Sequence, residues 1–186
     1  MSARGRAPPR TRAVETMAMT LEQAATYAAE LAARPEAQSE LAALRAEWDD
    51  EVEAAARHAD YRVRGVAFRA LAQFRFRQKL ELLRRGLDDE SPGVRGSALI
   101  ALESLSRDHP GDVNSFRPLI NKLATRDPNV AVRRLAIACF KNGTPDPATI
   151  RILDGIAADD EAEPEVRKAA GAVATLLVKR QRLKKK

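Results

Sequence analysis

A Val-Arg pair that returns every 31 to 38 residues restricts what this chain can fold into more than any other feature. It stands at Val63-Arg64, Val94-Arg95, Val132-Arg133 and Val166-Arg167. Four residues after each Val comes Ala67, Ala98, Ala136 or Ala170. Seven after it comes Ala70, Ala101, Cys139 or Val173, and eight after it Leu71, Leu102, Phe140 or Ala174. Offsets of 0, 4, 7 and 8 share one face of an α-helix. Each pair therefore opens a helix whose buried stripe is small near its start and larger further on, so neighbouring helices can lie close. A period of this length marks stacked helical units, none of which can cover its own apolar face.

A turn precedes each pair: Asp60-Tyr61-Arg62, then Asp89 to Gly93, Asp127 to Ala131, and Glu161 to Glu165. Asp, Ser and Asn suit N-caps, and Pro suits the first helical turn. Upstream of each turn lies a second apolar helical pattern. Its members are Trp48, Val52 and Ala56; Leu80, Leu83 and Leu87; Leu119, Ile120 and Leu123; and Ile152, Leu153 and Ile156. The unit is helix A, tight turn, helix B. Aromatics make up only 4% of the chain while Ala, Leu, Arg and Glu abound, so no sheet is expected.

The ends differ from the middle. Residues 1–13 carry +4 and the stretch Lys179 to Lys186 carries +6; taking these ten charges from the total of +6 leaves −4 for residues 14–178. Such ends attract polyanions without specificity. The expected organisation is a disordered basic leader over 1–18, N-terminal cap helices over 19–46, a repeat array over 47–178 and a basic tail over 179–186. A transit-type segment is the alternative for the Arg-rich start. Thr20 to Gln23 reads as a capping box, and Pro35 starts a further helix leading into Trp48. Ser106 to Ser115 reads as a long loop that accounts for the 38-residue spacing. Lys141 to Pro147 reads as a helix stop capped by Gly143.

Little in the chain points to chemistry. Cys139 is the single cysteine and falls on a core position, where a thiol is inert. A lone cysteine fits a reducing, cytoplasmic home. His58 and His109 have no partner at a metal or triad spacing, and no Gly-rich phosphate loop is present. Asp49, Asp50, Glu51 and Glu53 are too close in sequence to converge on one point of a helix, and read as a solvated face. No catalytic residue, metal or cofactor is expected, and no apolar run is long enough to span a membrane.

The run Asp127-Pro128-Asn129, followed by Val132-Arg133, Ala136 and Cys139, resembles the HEAT repeat; Asp89 to Leu102 is nearly as close. The last unit has Glu161 for the turn Asp, and the first has His58 there with Asp60 as a substitute. The resemblance covers about residues 40–178. It implies an all-α fold, a short right-handed α-solenoid of about four HEAT-like helix pairs with N-terminal cap helices. It also implies that turn acids and the arginines six residues on form ladders between units, at Asp89/Arg95 and Asp127/Arg133 and, more broadly, through Arg64 and Arg167. In such a solenoid the B helices line the concave surface.

Offsets of 2, 6, 9 and 13 from each Val point away from the core stripe of the B helices. They hold Gly65, Arg69, Ala72 and Phe76; Gly96, Ile100, Glu103 and Arg107; Arg134, Ala138, Lys141 and Pro145, the last past the expected helix end; and Lys168, Ala172, Thr175 and Lys179. Residues 62–85 add a local excess of Arg and Lys interleaved with Phe68, Phe74 and Phe76. The expected function is a non-enzymatic protein-binding adaptor or scaffold that holds an acidic protein partner on Arg69, Phe76, Arg107, Arg134, Lys141 and Lys168. Nucleic acid gripped by the same groove and the basic ends is the alternative partner. An enzyme is the third class, because some HEAT-like proteins resemble DNA alkylpurine glycosylases. That reading needs an acid and an aromatic in the groove, and only Glu103 and Phe76 are on offer.

Overall fold

The computed structural model describes residues 19–107 and 109–183, so the leader over 1–18 and the last three lysines lie outside the described residues. Helix α1, Leu21–Ala32, opens on the capping box: the Thr20 hydroxyl accepts from the Gln23 amide at 3.3 Å, and the Gln23 side chain accepts from the Thr20 amide at 2.8 Å. A 3-10 turn at Pro35–Ala37 leads into α2, Gln38–Ala56, which runs unbroken across the expected boundary at 46/47. Seven more helices follow among the described residues, alternately at the Val-Arg turns and between them. They are α3 Tyr61–Gln73, α4 Leu80–Leu87, α5 Pro92–Leu105 and α6 Pro110–Arg126; α7 Val130–Cys139, α8 Pro147–Ala158 and α9 Pro164–Leu183 complete the series. No strand occurs among the described residues.

Helices α2, α4, α6 and α8 are the A helices, paired in turn with the B helices α3, α5, α7 and α9. The B helices also pack successively on one another, and α1 packs on both α2 and α3. Helix α1 therefore occupies the place of a preceding B helix, so the N-terminal cap is one helix with its turn. Four helix pairs plus a cap make an α-solenoid.

The Val-Arg stripe is the core. Ala67, Ala98, Ala136 and Ala170 are all fully buried, as are Val94, Val132 and Val166; Val63, under the cap, is half-buried. The small residues allow close contact. A Cβ placed on Gly86 of α4 would lie 2.5 Å from the Phe68 ring and 2.9 Å from the Ala98 methyl. Helix α4 thus presses its backbone on two successive B helices.

Cys139 sits deep in this core, its thiol donating to the Leu99 carbonyl at 3.4 Å. Burial pushes its thiol up to about 12, so the reactive thiolate is scarce at neutral pH. Cys139 is expected to resist an aromatic disulfide reagent in the native protein and to react fully in urea; labelling at the rate of a free thiol without denaturant would contradict this placement.

Two expectations are corrected and a third holds for a different physical reason. The stretch Ser106 to Ser115 is not a long loop: Pro110 takes the first turn of α6, and the extra residues lengthen that A helix to 17 residues. The basic run from Lys179 does not begin as a tail. The stripe Val166, Ala170, Val173, Ala174 and Leu177 carries α9 on to Leu183. Gly143 does close the 3-10 turn Phe140–Asn142, with an ordinary negative φ; its need is space, since a Cβ would lie 2.9 Å from Val113.

Candidate partner-binding face

The turn arginines form a ladder that reaches forward. Arg64 donates to both carboxylate oxygens of Asp89, at 2.8 and 2.9 Å, and to the carbonyls of His58 and Ala59 behind it. Arg95 repeats this, donating to Asp127 at 2.7 and 2.9 Å and to the carbonyls of Asp89 and Glu90. Arg133 joins Glu163 of the next turn and the Asp127 carbonyl. The acid and arginine six residues apart meet through the acid's backbone carbonyl, whereas the acid's carboxylate belongs to the arginine of the unit before. Burial pushes the Asp89 carboxyl up, but the bonds from Arg64 and the Ser91 amide outweigh it and hold Asp89 below its ordinary range. Arg167 has no forward acid among the described residues and turns back to the exposed Asp160 of its own unit, at 2.8 Å.

These arginines are occupied with structure, so free charge must be sought elsewhere. Much of the basic stretch over residues 62–85 is also neutralised. Arg77 bonds Asp112 at 3.1 Å, and the buried Lys79 bonds Asp49 at 2.9 Å and Glu53 at 2.7 Å. The Lys79 bond, helped by Arg57, pulls the Glu53 carboxyl down to about 2. The run Asp49 to Glu53 thus supplies ion-pair partners to the 3-10 turn that leads into the next A helix. Arg84 lies over the Phe116 ring, 4.8 Å from its centroid.

The outward offsets divide into two groups. Gly65 and Gly96 do not face outward: both are buried against the following B helix, beside Ser97 and Leu135 respectively. Phe76 is a correction of more weight. It is 1% exposed, packed against Phe74 with centroids 5.3 Å apart, and it is no contact residue. The helix ends at Gln73, Arg75 takes a left-handed backbone with φ of 58°, and the chain folds Phe76 back inside. With Phe76 buried and Glu103 paired to Arg107 at 3.1 Å, the acid and aromatic of the glycosylase-like reading do not meet in a groove.

Arg69, Arg107, Arg134, Lys141 and Lys168 are all exposed. Arg69 rests on Ser97 of the next unit at 3.5 Å. Arg134 stands 3.9 Å from Glu165, with both side chains more than half exposed. Lys141 and Lys168 have no ion pair among the described residues. Two depressions bring some of these residues together. One, between α7 and α9, has Arg134 and Lys141 on its rim; the other gathers Arg107, Lys141 and Arg180 at the C-terminal ends of the B helices. Neither includes Arg69 or Lys168. Arg180, which donates to the Lys141 carbonyl, is a member that the sequence reading assigned to a tail. Its signal was the apolar stripe of α9, which runs unbroken up to Leu177 and Val178, directly before the basic run.

The B helices α3, α5, α7 and α9 hold only two acids, Glu103 and Glu165, both already beside arginines of this face. Apolar groups stand among the cations: Ile100 is 47% exposed, and of its equivalents in the next two units Ala138 is half-buried and Ala172 exposed.

A solenoid of alternating A and B helices, tied at its turns by an Arg–Asp ladder, is HEAT-like, and residues 50–122 match the family model described as HEAT repeats. The same pairing of A and B helices continues through α7, α8 and α9 beyond the matched span, so the HEAT-like architecture runs past the residues that the family model covers. No curated protein and no solved structure gives a match. HEAT repeats generally mediate protein–protein interaction. No helix among the described residues is long and apolar enough to cross a membrane, and no group of three or more His, Cys, Asp or Glu side chains there could hold a metal.

Proposed function

We propose that this chain is a non-enzymatic adaptor or scaffold whose B-helix face binds an acidic protein partner. The observation that carries the reading is the charge of that face: exposed Arg69, Arg107, Arg134, Lys141 and Lys168, with only Glu103 and Glu165 on the four B helices. A row of like charge is mildly unfavourable to folding and gains from an anion laid along it. A lone buried cysteine suits a reducing compartment such as the cytoplasm.

Nucleic acid is the second reading, favoured by the exposed Lys179, Arg180 and Arg182 that extend the basic surface along α9. It is weakened by the aromatics. Phe74 and Phe76 are buried, and the exposed Tyr61 stands at the turn edge beside Arg62, so the B face offers bases no stacking platform among the described residues.

Reversing Arg69 and Arg134 together to Glu is expected to weaken binding of the natural partner by about tenfold or more, while the melting temperature stays within about 2 °C of wild type. A nucleic-acid partner would show affinity falling by roughly 0.7–0.9 log units per log unit of salt for each phosphate contacted, an acidic protein a gentler slope. Unchanged affinity after the double reversal would move the binding surface to the A helices or the ends of the chain.

A further inference from the structure

The gap between successive B helices is filled differently in each unit. Between α3 and α5 it is covered by Arg69 lying on Ser97. Between α5 and α7 the Leu135 side chain fills it, 3.4 Å from where a Cβ on Gly96 would stand. Between α7 and α9 the residue corresponding to Ser97 and Leu135 is Ala169, which is too short to reach across. The residue corresponding to Gly65 and Gly96 is Arg134, and it leans out towards Glu165. A groove of about 430 Å³ remains there. Its floor and walls are Ala131, Leu135, Ala138, Ala169, Ala172 and Val173, and its two cations are Arg134 and Lys141.

Those cations are seven residues apart along the α7 helix and the 3-10 turn that extends it, or about 10 Å along the axis. The apolar lining lies between them. A helix laid along the groove presents its positions i, i+3, i+4 and i+7 on one face. Carboxylates at i and i+7 span the same distance as Arg134 and Lys141, and aliphatic side chains at i+3 and i+4 then face the alanine floor.

We propose that the α7–α9 groove binds an amphipathic helix of the form acid-x-x-aliphatic-aliphatic-x-x-acid from a partner protein. This rests on the reading of the B face as an acidic-partner surface and narrows it to one groove and one pattern. The occupant is helical because alanines let a helix backbone approach closely, and because the charge spacing matches two helical turns. The Arg107–Lys141–Arg180 depression beside the groove extends the same surface for acids that follow the pattern.

The test uses the full chain and a fluorescent, side-chain-stapled peptide of about 14 residues carrying Glu-x-x-Leu-Leu-x-x-Glu on an Ala/Gln background, the staple holding a helix too short to persist alone. Anisotropy is expected to show saturable binding. Leu→Ala at both leucines, or Glu→Lys at both acids, should each weaken it at least about tenfold. Ala138→Trp in the chain should do the same by filling the groove, and Ala172→Trp, from the opposite wall, does so independently should the first variant fold poorly by its melting curve. Binding indifferent to both tryptophans and to loss of the leucines overturns the groove, as does absence of peptide binding. Arg69→Glu, outside the groove, separates the two claims. If it weakens binding of an acidic peptide lacking leucines while the tryptophans have no effect, the basic face stands and the groove falls. If neither Arg69→Glu nor the tryptophans matter, both fall.

Discussion

Ala98→Glu is expected to abolish cooperative folding at 37 °C. Ala98 is fully exposed to protein and not at all to water: the α4 backbone at Gly86 presses against it, and the neighbouring Phe68 ring closes the same space. A glutamate there has no room and no cation. Burying an unpaired carboxylate costs several kcal/mol, and overpacking adds about 1–3. Whole domains are commonly stable by only about 5–15 kcal/mol, so a single such change removes a large share. The measurement is circular dichroism against temperature and urea. Ala98→Gln, of the same size without the charge, should recover part of the loss. A melting temperature for Ala98→Glu within about 2 °C of wild type would falsify the placement of this α5 methyl against α4.

Arg95→Met ranks next, with an expected loss of about 3–5 kcal/mol, the range for removing one partner of a buried ion pair. The arginine's side chain is 11% exposed and its partner Asp127 only 3%. Methionine keeps the stem and removes every donor, so a buried carboxylate and the carbonyls of Asp89 and Glu90 are left without Arg95. Arg167→Met provides the comparison. Its carboxylate partner, Asp160, is well exposed, and ion pairs of that kind contribute about 0–1 kcal/mol. Equal losses for the two variants in urea titrations would mean that the forward rung from Arg95 has no special weight. Removing both charges of the inner pair, Arg95→Met with Asp127→Leu, should recover much of the loss, because the unpaired acid goes too.

What could be read from the chain was what repeats along one helix. The Val, Ala and Cys139 positions have a 3.6-residue period, and the capping box at Thr20 is a four-residue signal. Both are local, and both correspond to the core and to the start of α1. Phe76 was misread because the outward register was extended past the real end of α3. Neither Gly nor Pro marks the break, and it is Arg75 that takes the left-handed backbone. Gly65 and Gly96 were misread for another reason. A helical wheel separates core from non-core, but it does not say whether a non-core position meets water or the next B helix. The charge excess over 62–85 misled because its neutralising acids are distant in sequence, Asp49 for Lys79 and Asp112 for Arg77. The alanine groove needed the neighbouring helix as well: only beside Leu135 and Ser97 does Ala169 register as something left out.

The uneven burial of the ladder's rungs has a consequence for how this chain comes apart. In an array where each unit touches only its neighbours, the opening free energy is set locally, and fraying starts where the last coupling is weakest. Units one to three each send a guanidinium into the next turn, while unit four sends its own to a carboxylate on its own surface. What ties helices α8 and α9 to the array at the turns is the third rung, Arg133 to Glu163, whose acid is 41% exposed where Asp89 and Asp127 are 12% and 3%, so the last unit has the weakest of the three couplings. Helix α9 also forms one wall of the α7–α9 groove. A ligand lying there would anneal the loosest end of the molecule, so its occupancy should be visible as slower amide exchange in α9, far along the chain from the cap.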